Sequence, residues 1–198
     1  MTEKELRYLI DQDFLITKRL ITDKITKLLS DTRTEIKEII KQFEINFPEG
    51  IDNKNGKISK GENYQNLPYL VLDFPKLFKP DSVFAFRTMV WWGNEISFTL
   101  HLQGKLLVEF REILIRNHYL IQAKGIYLCV NPSTPWEYHF GDDNYLLANE
   151  LETAQLTEIL SYHSFIKISK KFPLSEIENI SSFANSTFLE FMEVLDLK

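Results

Sequence analysis

The sequence predicts an α+β domain: a mainly antiparallel sheet centred on a long hairpin (about 84–103), with an N-terminal helical hairpin and C-terminal helices packed on it. Three observations carry that prediction. Phe84 to Gly104 reads FAFRTMVWWGNEISFTLHLQG, two aromatic and β-branched runs flanking Gly93-Asn94, a pair suited to a tight turn because Gly accepts φ > 0. The first 47 residues instead carry apolar side chains at helical spacing, as do stretches near the C-terminus. The composition, 44% hydrophobic and 26% charged over 198 residues, is that of a chain able to bury a core as one domain. The single domain 1–198 divides into a helical hairpin (1–47), a loop-rich connection (48–83) and the sheet with its helices (84–198).

Leu6, Ile10, Phe14, Ile21, Ile25 and Leu28 keep a helical stripe from about residue 3 to 29, which Asp11 or Asp13 would divide into a short and a longer helix. Ser30-Asp31 predicts a break. Thr32 and Glu35 then have the spacing of a capping box, in which hydroxyl and carboxylate satisfy orphan amides at a helix start. Ile36, Ile39, Ile40 and Phe43 give the second helix an apolar face, and Pro48 ends it. The pair is either a layer packed on the sheet or, being so amphipathic, a projecting arm for dimerisation.

Residues 48–63, PEGIDNKNGKISKGEN, imitate a calcium-binding EF-hand loop. With Gly56 at the sixth place, Asn53, Asn55, Ser59 and Glu62 fall at ligand places, but Ile51 occupies the first, which needs a carboxylate. Pro48 and Gly50 break the incoming helix and Leu67-Pro68 leaves no room for an outgoing one, so the stretch is read as a turn-rich connection. Tyr69–Asp73 is a short strand candidate, and Asp73-Phe-Pro75 predicts a helical turn through Phe78 before Pro80-Asp81. Asn63, Tyr64, Tyr69 and Asp73 would either wall a pocket beside the hairpin or cover an edge strand.

The run GENYQNLPYLVLDFP followed by FAFRTMVWWGN resembles a family of bacterial soluble proteins of about 200 residues. The resemblance covers roughly residues 61–104. It implies no activity and supplies no functional residues, because none is known for that family.

A two-residue loop at Gly93-Asn94 would set Trp92 opposite Glu95, Trp91 opposite Ile96, Val90 opposite Ser97 and Phe86 opposite His101. Alternation then gives an apolar face of Ala85, Met89, Trp91, Ile96, Phe98, Leu100 and Leu102, with Arg87 its one charge. The other face holds Phe86, Val90 and Trp92 with Thr88, Glu95, Ser97, Thr99 and His101. After the hairpin, a helix to about Asn117 is expected, then a second hairpin of Tyr119–Ala123 and Ile126–Val130. A short strand over Trp136–Phe140, a helix over about 149–162 and a strand over Phe165–Ser169 follow. Ser175-Glu-Ile-Glu178 is a second capping box, opening helices that run to the C-terminus.

The formal charge of −5, with no broad basic surface and Lys167, Lys170 and Lys171 the only tight basic cluster, argues against nucleic acid as a partner. Cys129, the single cysteine, reads as a buried small hydrophobe, which suits a reducing compartment. The opening MTEKELRYLIDQD lacks a basic region followed by an apolar stretch, and no run reaches membrane-spanning length, so a cytoplasmic protein without a membrane partner is expected. His101, His118, His139 and His163 lie on separate predicted elements; only His139, with Asp142 and Asp143, has local acidic company. No metal site follows. Ser97 and His101 stand too far apart along an extended strand for nucleophilic chemistry, and no glycine-rich cradle suggests a cofactor.

Arg87 stands out, because a buried guanidinium needs a partner: Asp73 or Glu109, or a bound anion. The preferred reading is a non-catalytic interaction or assembly protein, with a protein partner or a second copy. The alternative is a ligand-binding protein or enzyme using the polar hairpin face through Arg87, Trp92, Glu95, His101 and Tyr64. For the loop at 48–63, calorimetry with calcium should find no site tighter than about a millimolar, the weak end for such modules; a tighter one would overturn the rejection.

Overall fold

Apolar residues recur at helical spacing from Gln12 to Gln42, and there the chain forms one 31-residue helix, α2. The structure, a computed structural model describing residues 1–198, has no break at Ser30-Asp31. The residues that resemble caps satisfy themselves within the helix instead. The Thr32 hydroxyl donates back to the Leu28 carbonyl at 2.9 Å, and Asp31 pairs with Lys27 at 2.5 Å. The division falls at Asp11, whose carboxylate accepts from the Phe14 amide at 2.9 Å and separates α2 from the short helix α1, Glu3–Ile10.

Residues 48–83, read from the sequence as loop-rich, hold two long strands, β1 (Lys57–Tyr64) and β2 (Leu67–Lys79). Gln65 and Asn66 join them with φ of 48° and 66°, the two-residue geometry that matches the twist of a hairpin. Asp73–Phe78 is strand rather than helical turn, and a register shift between Asp73 and Lys76 accommodates Pro75, which cannot donate to a ladder. Ile58, Ser59 and Glu62 of the calcium-like pattern therefore lie in β1. Asp52 instead accepts from the amides of Lys54, Asn55 and Gly56 and closes a turn.

Two strands, β3 (Ser82–Trp91) and β4 (Glu95–Gly104), form the central hairpin. Gly104 joins β4 to α3 (Lys105–Arg116) with φ of 65°, and a Cβ there would lie 2.1 Å from the Asp81 carbonyl oxygen. Tyr119–Ala123, expected as a strand, belongs to α4 (His118–Ala123), so only Tyr127–Cys129 of the second hairpin is strand, β5. Trp136–Phe140 is irregular, and β6 follows at Tyr145–Leu147. Then come α5 (Thr153–Tyr162), β7 (Phe165–Pro173), a 3-10 turn and α6 (Ile180–Val194). All seven strands form one antiparallel sheet in the order β1-β2-β3-β4-β7-β5-β6.

The hairpin register differs from the expected one by a single residue on β3. Val90 pairs Ile96, Phe86 pairs Leu100 and Ala85 pairs His101, because the loop is Trp92-Gly93-Asn94 and the Asn94 amide donates to the Trp91 carbonyl at 3.1 Å. The β4 faces stand as expected, and the β3 faces exchange. Phe84, Phe86 and Val90 join Ile96, Phe98, Leu100 and Leu102 in the main core, under α2, α3 and α6. Ala85, Arg87, Met89 and Trp91 move to the opposite face.

Phe98 and Leu100 are fully enclosed in that core. Leu100→Ala should cost about 2–5 kcal/mol in denaturant unfolding, the range for a large-to-small change in packed surroundings. A loss under about half a kcal/mol would contradict this packing.

Candidate functional site

The strand alternation gathers an unusual set of side chains on the sheet face away from the helices. Tyr69, Val71 and Asp73 come from β2, and Arg87, Met89 and Trp91 from β3. Glu95, Ser97, Thr99 and His101 come from β4, and Lys167, Ser169 and Lys171 from β7. The irregular chain around Trp136–Phe140 crosses this face and lays aromatic rings on it. Tyr64 at the end of β1 holds that crossing in place. Its hydroxyl accepts from the amides of Tyr138 (2.6 Å) and His139 (3.1 Å) and donates to the Glu137 carboxylate (2.9 Å). Burial and the Glu137 carboxylate push the Tyr64 phenol up to about 12, so it remains a neutral donor.

Beneath the crossing lie two cations, Arg87 partly buried and Lys167 fully buried. Arg87 is paired across strands with Asp73 by a bidentate fork, Nε to Oδ1 at 2.7 Å and Nη2 to Oδ2 at 3.0 Å, and its guanidinium sits 4.7 Å over the Tyr138 ring. Asp73 is thus the partner, of the two carboxylates the sequence offers. Lys167 is 0% exposed and has no carboxylate bonded to it. Its Nζ donates to the Glu137 backbone carbonyl and lies 4.7 Å from the Tyr138 ring centre and 5.0 Å from that of Tyr145. Burial pulls its pKa down to about 8, opposed by Cys129, so the amine is charged at neutral pH.

His101 is 1% exposed, with its ring edge-on to Trp136 at 5.7 Å and to Phe165 at 6.1 Å. Neither ring nitrogen has a hydrogen-bond partner. Burial, then the charges of Lys167 and Arg87, pull its pKa down to about 3 against a weaker influence of the Gln103 side chain, so the ring is neutral. The hydroxyls beside it bond locally: Thr99 meets Ser169 at 2.7 Å, and Ser169 donates to the Phe98 carbonyl at 3.0 Å.

Four of the five sequence candidates, Tyr64, Arg87, Glu95 and His101, therefore share one face. Arg87 and His101 are brought together by the β3 shift, whereas Glu95 is half-buried at the margin, its pKa raised by burial and restrained by Lys171. Trp92 is on the other side of the sheet. The residues that sequence reasoning missed are Lys167, Trp136 and Tyr138. In Phe165–Lys171 the alternation marks Lys167 as belonging to a polar face, but only the crossing segment makes that face an interior. Between β2, β3 and the crossing is a cleft of about 290 Å³ lined by Tyr64, Tyr69, Val71, Arg87, Met89, Trp136 and Tyr138.

A second feature lies on the helix side. No residue before Ile25 is buried, so α1 and the first three turns of α2 form an exposed arm, joined to β1 by Lys18 on Glu62 at 2.5 Å. Leu6, Leu9, Ile10, Phe14, Leu15, Ile16, Leu20 and Ile21 are all exposed on this arm. Where the arm meets the body, an apolar cleft of about 310 Å³ is lined by Ile21, Ile25, Leu28, Val90, Trp92, Leu174 and Ile177, with Lys24 and Glu178 among its polar residues. The Trp92 indole N–H is buried without a partner.

No family model, curated protein or solved structure matches the chain. No group of three or more His, Cys, Asp or Glu side chains is placed to hold a metal ion, and no helix is long and apolar enough to cross a membrane.

His101 gives this site a pH signature. Its folded pKa lies below the unfolded value, so the unfolded chain takes up a proton that the folded chain refuses. The stability present above pH 6.5 is therefore lost as the pH falls toward 3, by about 1.4 kcal/mol per unit from this group. Urea unfolding of wild type and His101→Phe between pH 4.5 and 7 should show the wild type weakening more steeply. Parallel curves would rule out a buried neutral His101.

Proposed function

We propose that this is a non-catalytic assembly protein that pairs with a second copy of itself through the N-terminal arm. The observation that carries the reading is the run of eight large exposed apolar side chains on α1 and the first turns of α2, where no residue is buried. An isolated helix as short as α1 is marginal in water, and a helix apolar on several sides is a helix that gets covered. Even half-buried, these side chains would contribute roughly 6–12 kcal/mol per protomer, enough to offset much of the cost of association.

Self-pairing is favoured by the charge pattern. Residues 3–13 carry four acidic and two basic side chains, whereas residues 18–27 carry four basic and one acidic. An antiparallel, two-fold pairing of arms sets each acidic segment against the partner's basic one, with Phe14 and Ile21 near the centre. It also carries the partner's α1 toward the cleft beside Trp92. A cytoplasmic setting is part of the proposal, supported by a single thiol buried at Cys129. The resemblance to a bacterial family is compatible with this reading and adds no activity to it.

Sedimentation equilibrium at micromolar concentration should give twice the chain mass. Phe14→Glu combined with Ile21→Glu should weaken the dimer by about a hundredfold or more while leaving the circular dichroism of the body intact. A wild type that stays monomeric at about 100 μM, well above typical dimer constants, would refute the proposal.

A further inference from the structure

The second-face cleft holds a charge arrangement that self-assembly does not use. Two cations, the partly buried Arg87 and the fully buried Lys167, share this face with one buried carboxylate, Asp73. Glu137 offers Lys167 its backbone carbonyl, while its own carboxylate is turned to Tyr64 and His139. Asp73 occupies Nε and Nη2 of Arg87, and Nη1, the remaining arm of the guanidinium, makes no bond within the chain. The walls of the cleft are rings: Tyr64, Tyr69, Trp136 and Tyr138. Trp136 is 51% exposed at the mouth, and behind it His101 has no partner for either ring nitrogen.

We propose that this cleft binds a small aromatic carboxylate. The carboxylate meets the unbonded edge of the Arg87 guanidinium within the field of Lys167, and the ring stacks among Tyr64, Tyr138 and Trp136. An anion supplies the charge that the two cations lack, and a planar acid fits both the guanidinium fork and the aromatic walls. A neutral amide of the same shape satisfies the walls and offers Arg87 Nη1 a carbonyl, but brings no charge and only a weaker, single hydrogen bond. An aliphatic anion does the reverse. The space, about 290 Å³, suits a molecule of one or two rings.

Three acids serve as probes, each with its neutral amide: benzoate, cinnamate and indole-3-acetate. Binding is followed by calorimetry and by quenching of tryptophan fluorescence at pH 7. At least one acid should bind with a Kd below about 1 mM, and its amide about tenfold or more weaker. Trp136→Ala, which removes a half-exposed ring and leaves the core alone, should weaken the acid about tenfold. Arg87→Lys, which keeps a cation beside Asp73 but loses the fork, should weaken it several-fold. The arm variant with Phe14→Glu and Ile21→Glu should bind the acid as the wild type does, which separates this site from the Trp92 cleft. The proposal is overturned if all three acids bind more weakly than about 1 mM, if the amides match the acids, or if Trp136→Ala binds like wild type.

Discussion

A three-residue turn at Trp92-Gly93-Asn94 decides which side chains of β3 stand beside which of β4, and the rest of the molecule depends on that pairing. With Val90 opposite Ile96, Phe84, Phe86 and Val90 share one face with Ile96, Phe98, Leu100 and Leu102, where α2, α3 and α6 cover them. Arg87, with Ala85, Met89 and Trp91, shares the other with Ser97, Thr99 and His101. Arg87 then lies across from Asp73 on one side and Thr99 on the other, close to His101 and Lys167. A shift of one residue would drive the guanidinium into the helix-covered core without a carboxylate, at a cost of several kcal/mol. Gly93, with φ of 74°, makes the observed turn geometry accessible.

The face that results is polar yet enclosed, and it stays tolerable through the Arg87–Asp73 ion pair and, around Lys167, through aromatic rings. Tyr138 lies 4.7 Å from both Arg87 and Lys167, so one ring quadrupole serves two cations. Tyr64 saturates its own hydroxyl to keep the crossing segment, and with it Tyr138, over the sheet. Removing the crossing would expose Lys167 to water, where its charge costs little. Enclosing it leaves a pKa of about 8, a measure of how incompletely the rings replace water. Such incompletely compensated polar interiors are where binding sites are found.

The fold class was legible because the periodicities are strong: the aromatic runs of 84–104 read as a hairpin, and Phe98 and Leu100 as core. Other features depend on what short-range patterns do not record. Gln65-Asn66 makes a hairpin turn without the glycine that usually signals one, so β1, and the length of β2 beyond the expected strand Tyr69–Asp73, were hidden. Thr32 looked like a cap because its alternative, bonding back to Leu28, is invisible until the helix is continuous. Within the site, Arg87 was singled out by its pattern-breaking charge, and His101 and Tyr64 by their aromatic surroundings. Lys167 was not, since nothing near it in sequence says that residues 136–140 will close over it.

The two surfaces lie on opposite sides of the sheet, and that separates their physics. The arm and the Trp92 cleft belong to the helix side, continuous with α2, where from Ile25 onward one apolar stripe is buried and before it apolar side chains point several ways. A second chain covering that half would extend the core outward, as obligate interfaces do. The Arg87 cleft opens on the far side, behind a segment carrying Trp136 and held by Tyr64, Lys167 and Asn144. Pairing through the arm therefore leaves each protomer's cleft open to solvent, and a ligand entering the cleft displaces no residue of the arm. Coupling between the two would have to pass through β3, where Trp91 and Trp92 point to opposite faces at the same end of one strand. The proposed assembly and the proposed ligand capture are, on this geometry, independent of each other, on two unlike faces of one sheet.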